Sequence, residues 1–328
     1  MVSVSPTGSA PTGSAPTGSA PTGSAPTGSA PTGSAPTGPA PTVTLSPLLL
    51  PMPDEEPANC SHPDCPDLLR VELSALRHAL SGEPPATHIA PSDEVDRARH
   101  RWFVGHHAAF AVWQLQARAL HAVAATPEPA AQPAVIRAAT LYDAYSVLFL
   151  YSGSCSPELY AAVVRPHISA AHPAFSGAWA RDHAAVPAAL RVVRARHPAA
   201  LLAPLTRAVR DNQRAHMAVA GKLVPSGASL LQQAGRHPAN ITTAAEHDLY
   251  DAYFRVHRQP VCRLGYETQL VRRLAQCASD IIGYGLGPNP DGCPERFTHD
   301  ALSLLTAPAE HIAARQAPTP LLTKEVTT

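Results

Sequence analysis

The chain has 328 residues, 45% of them apolar, which is enough to bury a sizeable hydrophobic core. Its 25 Lys and Arg residues balance 25 Asp and Glu residues without any basic run, which argues against a nucleic-acid or anionic-membrane partner. No stretch approaches the roughly 18 consecutive apolar residues of a membrane span, and the N-terminus lacks the basic segment of a secretory signal, so we expect a soluble cytoplasmic protein with no membrane partner.

The first part of the chain is a short-period repeat. Pro-Thr-Gly-Ser-Ala occurs six times from Pro6 and is followed by Pro-Thr-Gly-Pro-Ala, which ends at Ala40. Such a segment has no large apolar group to bury, so residues 1–45 are predicted to be disordered. Residues 46–92 are proline-rich, with one amphipathic helix predicted from Pro66 to Leu80.

The six cysteines are scattered along the chain, which favours free thiols in a reducing compartment. Cys60-x-His62-x-x-Cys65 could supply part of a zinc site. Since no second ligand pair follows at a suitable spacing, the sequence favours a mobile polar loop over a metal site here.

From Ser92 onward the chain is rich in Ala, Leu and Arg, without the alternation typical of strands. Ser92 and the acids after it predict a helix start. That helix should run to about Ala124, and Pro or Gly bounds most of the later ones, at about 132–152, 156–166, 173–183, 185–196, 198–221, 243–258 and 260–283. The sequence thus predicts an all-α multi-helix bundle over residues 93–310 and a flexible tail over 311–328.

Two of the 17 histidines have a suggestive context. His107 should share an aromatic helix face with Phe103 and Phe110, although a lone histidine on such a face is more often a core residue. His216 lies near a predicted helix end before a Ser/Gly loop, a spacing that suits a heme-iron ligand but is weak support by itself. Dinucleotide, P-loop, zinc-protease, nucleophile-elbow and covalent-heme motifs do not occur.

The segment from Trp102 to Trp113 resembles the distal-heme helix of the tryptophan 2,3-dioxygenase superfamily. Phe103, His107, Phe110 and Trp113 match all four positions of that pattern. At two positions where the dioxygenases have Gln and Glu, this chain has Ala108 and Ala111, which argues against tryptophan ring cleavage.

Two further matches follow in the same order. One match is to the dioxygenase stretch that ends in the arginine binding the substrate carboxylate, and it covers Cys155–Arg165 and Phe175–Arg181. The other match is to the proximal histidine and the loop after it, and it covers His216–Ser229. Residues 95–300 as a whole look like the heme-dependent L-tyrosine hydroxylases of actinobacterial antibiotic pathways.

The resemblance implies a site for heme b, with His216 as the axial iron ligand and Trp102 and Phe103 beside the cofactor. It implies hydroxylation of L-tyrosine to L-DOPA with hydrogen peroxide, with His107 as the catalytic base at the phenol. The substrate-binding residues would be Arg181, which clamps the carboxylate, and Ser226, Ser229, Phe103, Phe110 and Trp113.

Some alternatives remain open on the sequence. Arg181 could instead form an ion pair with an acid such as Asp182, and the loop serines could be plain turn formers. The substrate could be tryptophan or another aromatic compound, or the chain could be a heme-free helical interaction protein. We also expect a homo-oligomer.

Overall fold

The computed structural model describes residues 45–60, 62–225, 227–236 and 241–316. The predicted disorder of residues 1–44, the tail from residue 317 and the role of Ser226 fall outside these ranges. The described part is an all-α bundle, as predicted. Its helices are α1 (Cys65–Leu80), α2 (Glu94–Ala125), α3 (Gln132–Ser152), α4 (Pro157–Leu159), α5 (Arg165–Ala171), α6 (Arg181–Arg196), α7 (Ala203–Leu223), α8 (Leu230–Gln233), α9 (Ala244–Tyr253), α10 (Arg263–Tyr284), α11 (Arg296–His299) and α12 (Ala301–Gln316).

The long helix α2 is the centre of the bundle. It begins after Asp93, whose side chain accepts a hydrogen bond from the backbone N–H of Asp96 at 3.0 Å, so one otherwise unpaired donor is satisfied. Helices α3, α6 and α10 pack against it. At Gly105 a Cβ atom would lie 2.1 Å from the Ser152 hydroxyl oxygen, so the glycine lets α3 approach closely.

A small parallel strand pair joins distant parts of the chain. β1 (Leu48–Leu50) pairs with β2 (Val256–Arg258), with Leu48 opposite Val256. Leu48 and Leu50 are fully buried, which explains why this short proline-flanked segment is held against the bundle. The sequence did not predict these strands, because three residues are too few to show an alternating pattern.

Three of the predicted helices are wrong in detail. The predicted helix over 173–183 is a loop with a single 3₁₀ turn, Gly177–Trp179, capped by the Ser176 hydroxyl, and α6 starts only at Arg181. The predicted helix over 156–166 is interrupted by a π-helical segment, Tyr160–Val164. The predicted helix over 243–258 ends at Tyr253, and Val256–Arg258 forms β2 instead. Gly177 and Ser176 favour turns over a continuous helix, which accounts for the first difference.

The C-terminal helix α12 continues to Gln316, so it includes residues 311–316 of the segment predicted as a tail. No single helix among the described residues is long and apolar enough to cross a membrane; α3 and the segment Pro157–Ala171 reach that length and hydropathy only as a pair, with a bend of 77° between them.

Candidate functional site

Four rings of α2 pack around one phenylalanine that follows α9. The Phe254 ring is fully buried, and its centroid lies 4.4 to 6.4 Å from those of Trp102, Phe103, His106 and Phe110. The predicted aromatic face of α2 is therefore continuous with α9. The sequence did not single out Phe254, because nothing in a lone phenylalanine near a helix end marks it as a packing centre.

His107 is fully buried beside this aromatic group. Its Nε2 atom lies 2.5 Å from the Phe254 carbonyl oxygen. A carbonyl oxygen only accepts hydrogen bonds, so Nε2 carries the proton and Nδ1 is the basic nitrogen. Nδ1 is buried without a hydrogen-bond partner. Burial lowers the pKa of His107 to about 3, far from the ordinary value near 6.5.

The neighbouring His106 has a different environment. Its Nδ1 lies 2.6 Å from the Trp102 carbonyl oxygen within the same helix, and its ring stacks on Phe254 at 17°. Burial lowers the pKa of this ring to about 4. The same reasoning places the proton of His106 on Nδ1 and leaves Nε2 as its basic nitrogen. His106 and His107 therefore differ in which ring nitrogen is basic.

Trp113 connects α2 to a second group of rings. Its ring centroid lies 5.1 Å from that of Tyr145 on α3 and 5.1 Å from that of His183 on α6. The indole Nε1 is buried and has no hydrogen-bond partner. His183 was not predicted, since the sequence placed it at the end of a helix that does not form.

His216 projects from α7 toward α3. Its ring stacks on Phe149 with 4.6 Å between centroids, and Phe149 lies 4.4 Å from Tyr145. Burial lowers the pKa of the His216 imidazole. Burial is the main cause that lowers the pKa of His183 to about 4, and the electrostatic effect of the nearby His216 lowers it further. Both imidazoles are therefore neutral at pH 7.

This donor set fits heme. A neutral imidazole is the form that ligates heme iron, and aromatic rings such as Phe149 and Trp113 suit the faces of a porphyrin. The structure thus contains two neutral imidazoles, those of His216 and His183. Contacting aromatic rings connect both of them to the face of α2 that carries His107.

Arg181 is the first residue of α6, and acids of α9 bind its guanidinium group. Nη2 lies 2.5 Å from Asp248 Oδ1, and Nε lies 2.8 Å from Asp251 Oδ2. The nearby Asp182 is instead paired with Arg258 at 2.7 Å. Arg181 therefore forms interhelical ion pairs, and a substrate carboxylate would have to compete with them.

Ser229 caps the short helix α8. Its hydroxyl accepts a hydrogen bond from the Gln232 backbone N–H at 3.3 Å, and the Gln232 side chain accepts one from the Ser229 N–H at 2.8 Å. The loop before it is held by Arg165, which donates to the Ala228 carbonyl at 3.0 Å. Ser229 thus has a structural task in addition to its predicted contact with substrate.

Two cavities are lined by residues other than the predicted site residues. One of about 340 Å³ adjoins the end of α7 and is lined in part by Arg165 and Leu223. Another of about 540 Å³ is lined in part by Arg118 and Tyr266. Among the described residues, none of those predicted for the site lines either cavity.

Residues 54–208 match a protein-family model described as SfmD 3-methyl-L-tyrosine peroxygenase. The matched segment contains His107, Trp113, Arg181 and His183 and ends within α7, ahead of His216. A search of curated proteins gave no match for the chain. The description of this family names a peroxygenase whose substrate is a tyrosine derivative.

Proposed function

We propose that this chain uses hydrogen peroxide and heme b to hydroxylate L-tyrosine next to the phenol oxygen. The reaction consumes one tyrosine and one peroxide and yields L-DOPA and water. The observation that carries the proposal is a row of contacting rings, in which Trp113 packs against His183 and connects through Tyr145 and Phe149 to His216. The pKa values of both imidazoles are lowered, and residues 54–208 match a tyrosine-derivative peroxygenase family.

His216 is the residue we propose as the protein ligand to iron. Its imidazole is neutral, and stacking on Phe149 restricts its orientation. When bound, heme would supply the oxidising chemistry. Trp102 and Phe103 are proposed to border the cofactor, as the resemblance to the tryptophan 2,3-dioxygenase superfamily implies.

His107 is proposed to accept a hydrogen bond from the substrate phenol. The proton on Nε2 is fixed by the Phe254 carbonyl, which leaves Nδ1 as the acceptor. With a pKa of about 3, this nitrogen shares the phenol proton and does not remove it fully. A shared proton still places electron density on the ring carbon that is hydroxylated.

Arg181 is proposed to bind the substrate carboxylate, with Ser226 and Ser229 near the amino-acid head group and Phe110 and Trp113 beside the ring. A bidentate contact from a guanidinium would fix which ring edge faces the iron. For this the substrate must displace Asp248, which is largely exposed and can turn toward solvent.

A second candidate substrate is 3-methyl-L-tyrosine, which the description of the matched family favours. Hydroxylation at the remaining free position next to the phenol oxygen uses the same groups, so the two substrates differ only in the room that a methyl group needs. The cytoplasmic location, the homo-oligomer and a role in antibiotic biosynthesis are likewise proposals.

Purification of the full-length chain with heme supplied tests the proposal directly. We expect a Soret band with one heme per chain, heme that organic solvent extracts, as for heme b, and L-DOPA from L-tyrosine only when peroxide is added. Tryptophan and 3-methyl-L-tyrosine are run in parallel. Absence of heme would favour the alternative of a heme-free interaction protein. If the heme-containing protein forms product only from one of the other compounds, that compound and not L-tyrosine is the substrate.

A further inference from the structure

Three cysteines that are far apart in sequence meet at one point of the fold. The sulfur atoms of Cys60, Cys65 and Cys262 all lie within 4.8 Å of one another, and those of Cys65 and Cys262 are 3.8 Å apart. The first two belong to the Cys60-x-His62-x-x-Cys65 segment, which lacked further ligands by sequence spacing. The fold supplies the third from a position 197 residues beyond Cys65.

The backbone on both sides holds this cluster in place. Cys65 is the first residue of α1, and Cys262 is the cap residue before α10. Ala58 forms a β-bridge with Cys262 and accepts a hydrogen bond from the Arg263 N–H at 2.8 Å. The segment that carries Cys60 is thereby fixed against the start of α10, so the meeting of the sulfurs follows from main-chain pairing.

The spacing of the sulfurs is that of a tetrahedral metal centre. Two thiolates each about 2.3 Å from a tetrahedral zinc ion lie about 3.8 Å apart, and the Cys65 and Cys262 sulfurs have this separation. A disulfide requires about 2.05 Å instead. Three soft sulfur ligands also select zinc over calcium or magnesium, which prefer oxygen.

A backbone donor also points at the cluster. The Gly265 N–H donates to the Cys262 sulfur at 3.3 Å. Such a donor stabilises a metal-bound thiolate, as is usual for the groups that surround metal ligands.

We propose that Cys60, Cys65 and Cys262 bind a structural zinc ion, with His62 as the fourth ligand. His62 lies between the first two cysteines, and its side chain is 68% exposed, so it can turn toward the sulfurs without loss of packing. A closed set of three thiolates and one imidazole is typical of structural zinc. The ion would join the segment before α1 to the start of α10, independently of the heme reaction.

The test uses the full-length protein, purified under reducing conditions with zinc present, and metal analysis by mass spectrometry. We expect about one zinc per chain and, after exchange with cobalt, a thiolate-to-cobalt charge-transfer band. Cys262→Ser should lose the zinc. Cys155→Ser is the matched control, because Cys155 is also a half-buried free cysteine but lies outside the cluster, and it should keep the zinc.

Zinc below about one tenth of an equivalent in the wild type, or equal zinc in Cys262→Ser and wild type, would overturn the proposal, as would a Cys65–Cys262 disulfide under reducing conditions. If Cys262→Ser does not fold, a chelator applied to the wild type decides: the melting temperature should fall and recover with added zinc, and an unchanged melting temperature after zinc removal counts against a structural ion. An unchanged cobalt spectrum in His62→Ala would overturn the fourth ligand.

Discussion

The His216 imidazole lies parallel to the Phe149 ring, with 12° between their planes and 4.6 Å between their centroids. Helix α3 thus orients a side chain of α7 before any ligand binds. A ligand that is already oriented loses less side-chain freedom on binding. The stacking therefore supports the use of His216, among the many histidines of this chain, as the iron ligand.

Replacement of His216 by Ala should abolish tight heme binding, because no other protein atom is expected to hold the iron. Heme content and the Soret spectrum measure this. His121→Ala is the matched control, since His121 is an exposed histidine of α2, and it should keep the heme. If His183→Ala loses heme and His216→Ala keeps it, the ligand is His183, and the assignment made from the sequence is wrong.

Arg181→Leu should raise the KM for the amino-acid substrate and leave heme content unchanged. A charge-assisted contact contributes about 1.5–3 kcal/mol, which corresponds to roughly a tenfold to hundredfold effect. Asp248→Asn is the informative partner variant: it removes a carboxylate that competes with substrate and should lower the KM. An Arg181→Leu enzyme with unchanged KM and reduced stability would show that the arginine only joins α6 to α9.

Residues that favour helix starts and helix ends predicted much of the fold. The bounds of α3 were predicted correctly, because Pro133 suits a helix start and Gly153 a helix end. The aromatic face of α2 also followed from helical spacing. These features depend on residues within a few turns of one another, which a single sequence displays directly.

The contacts that complete the two sites could not be predicted in this way. His183 faces Trp113 only because α6 starts at Arg181, after a loop where a helix was expected. Likewise Cys262 reaches Cys65 because α1 packs against α10. Both contacts depend on packing between segments that are far apart in sequence, which no local sequence pattern indicates.

The protein should lose stability as the pH falls from about 6.5 toward 4. Burial lowers the pKa of His107 to about 3 and those of His100, His106 and His183 to about 4. Below pH 6.5 the unfolded chain takes up protons on these rings that the folded chain does not, so the free energy of unfolding decreases. Thermal unfolding across this range measures the slope.

The pH slope should be shallower in His107→Phe, because one of the contributing rings is gone. His121→Ala, which removes an exposed histidine, should keep the wild-type slope. Equal slopes in all three proteins would mean that His107 is protonated as readily in the folded protein as in the unfolded chain.

Arg101→Met should destabilise the fold strongly. The Arg101 guanidinium binds the fully buried carboxylate of Asp280 through two hydrogen bonds of 2.6 and 2.9 Å. Removal of one partner leaves a buried charge and costs about 3–5 kcal/mol. Urea unfolding measures the loss, and the double variant with Asp280→Leu should recover part of it. A loss below about 1 kcal/mol would show that water reaches Asp280.

His107→Phe should retain heme but lose most of the hydroxylation activity. The substitution removes Nδ1, the only basic atom that this ring offers to a phenol, and leaves the proposed iron ligand, His216, unchanged. A buried phenol left without its hydrogen-bond acceptor costs about 1–3 kcal/mol, which corresponds to roughly a fivefold to hundredfold lower rate. Peroxide-driven L-DOPA formation at matched heme content is the measurement. His106→Phe is the control, because His106 projects about 100° around the helix from His107, and its effect should be mild.

The two variants together distinguish three possibilities for the residue of α2 that accepts the phenol proton: His107, His106 or neither. If His107→Phe is inactive and His106→Phe active, the free Nδ1 at the Phe254 carbonyl is the group that shares the phenol proton. The reverse result would move the base to His106, and the match at Phe103 and Trp113 would then be out of register by one residue. If both variants remain active at matched heme content, neither ring accepts the proton, and the hydrogen bond from His107 to Phe254 serves only to join α2 to α9.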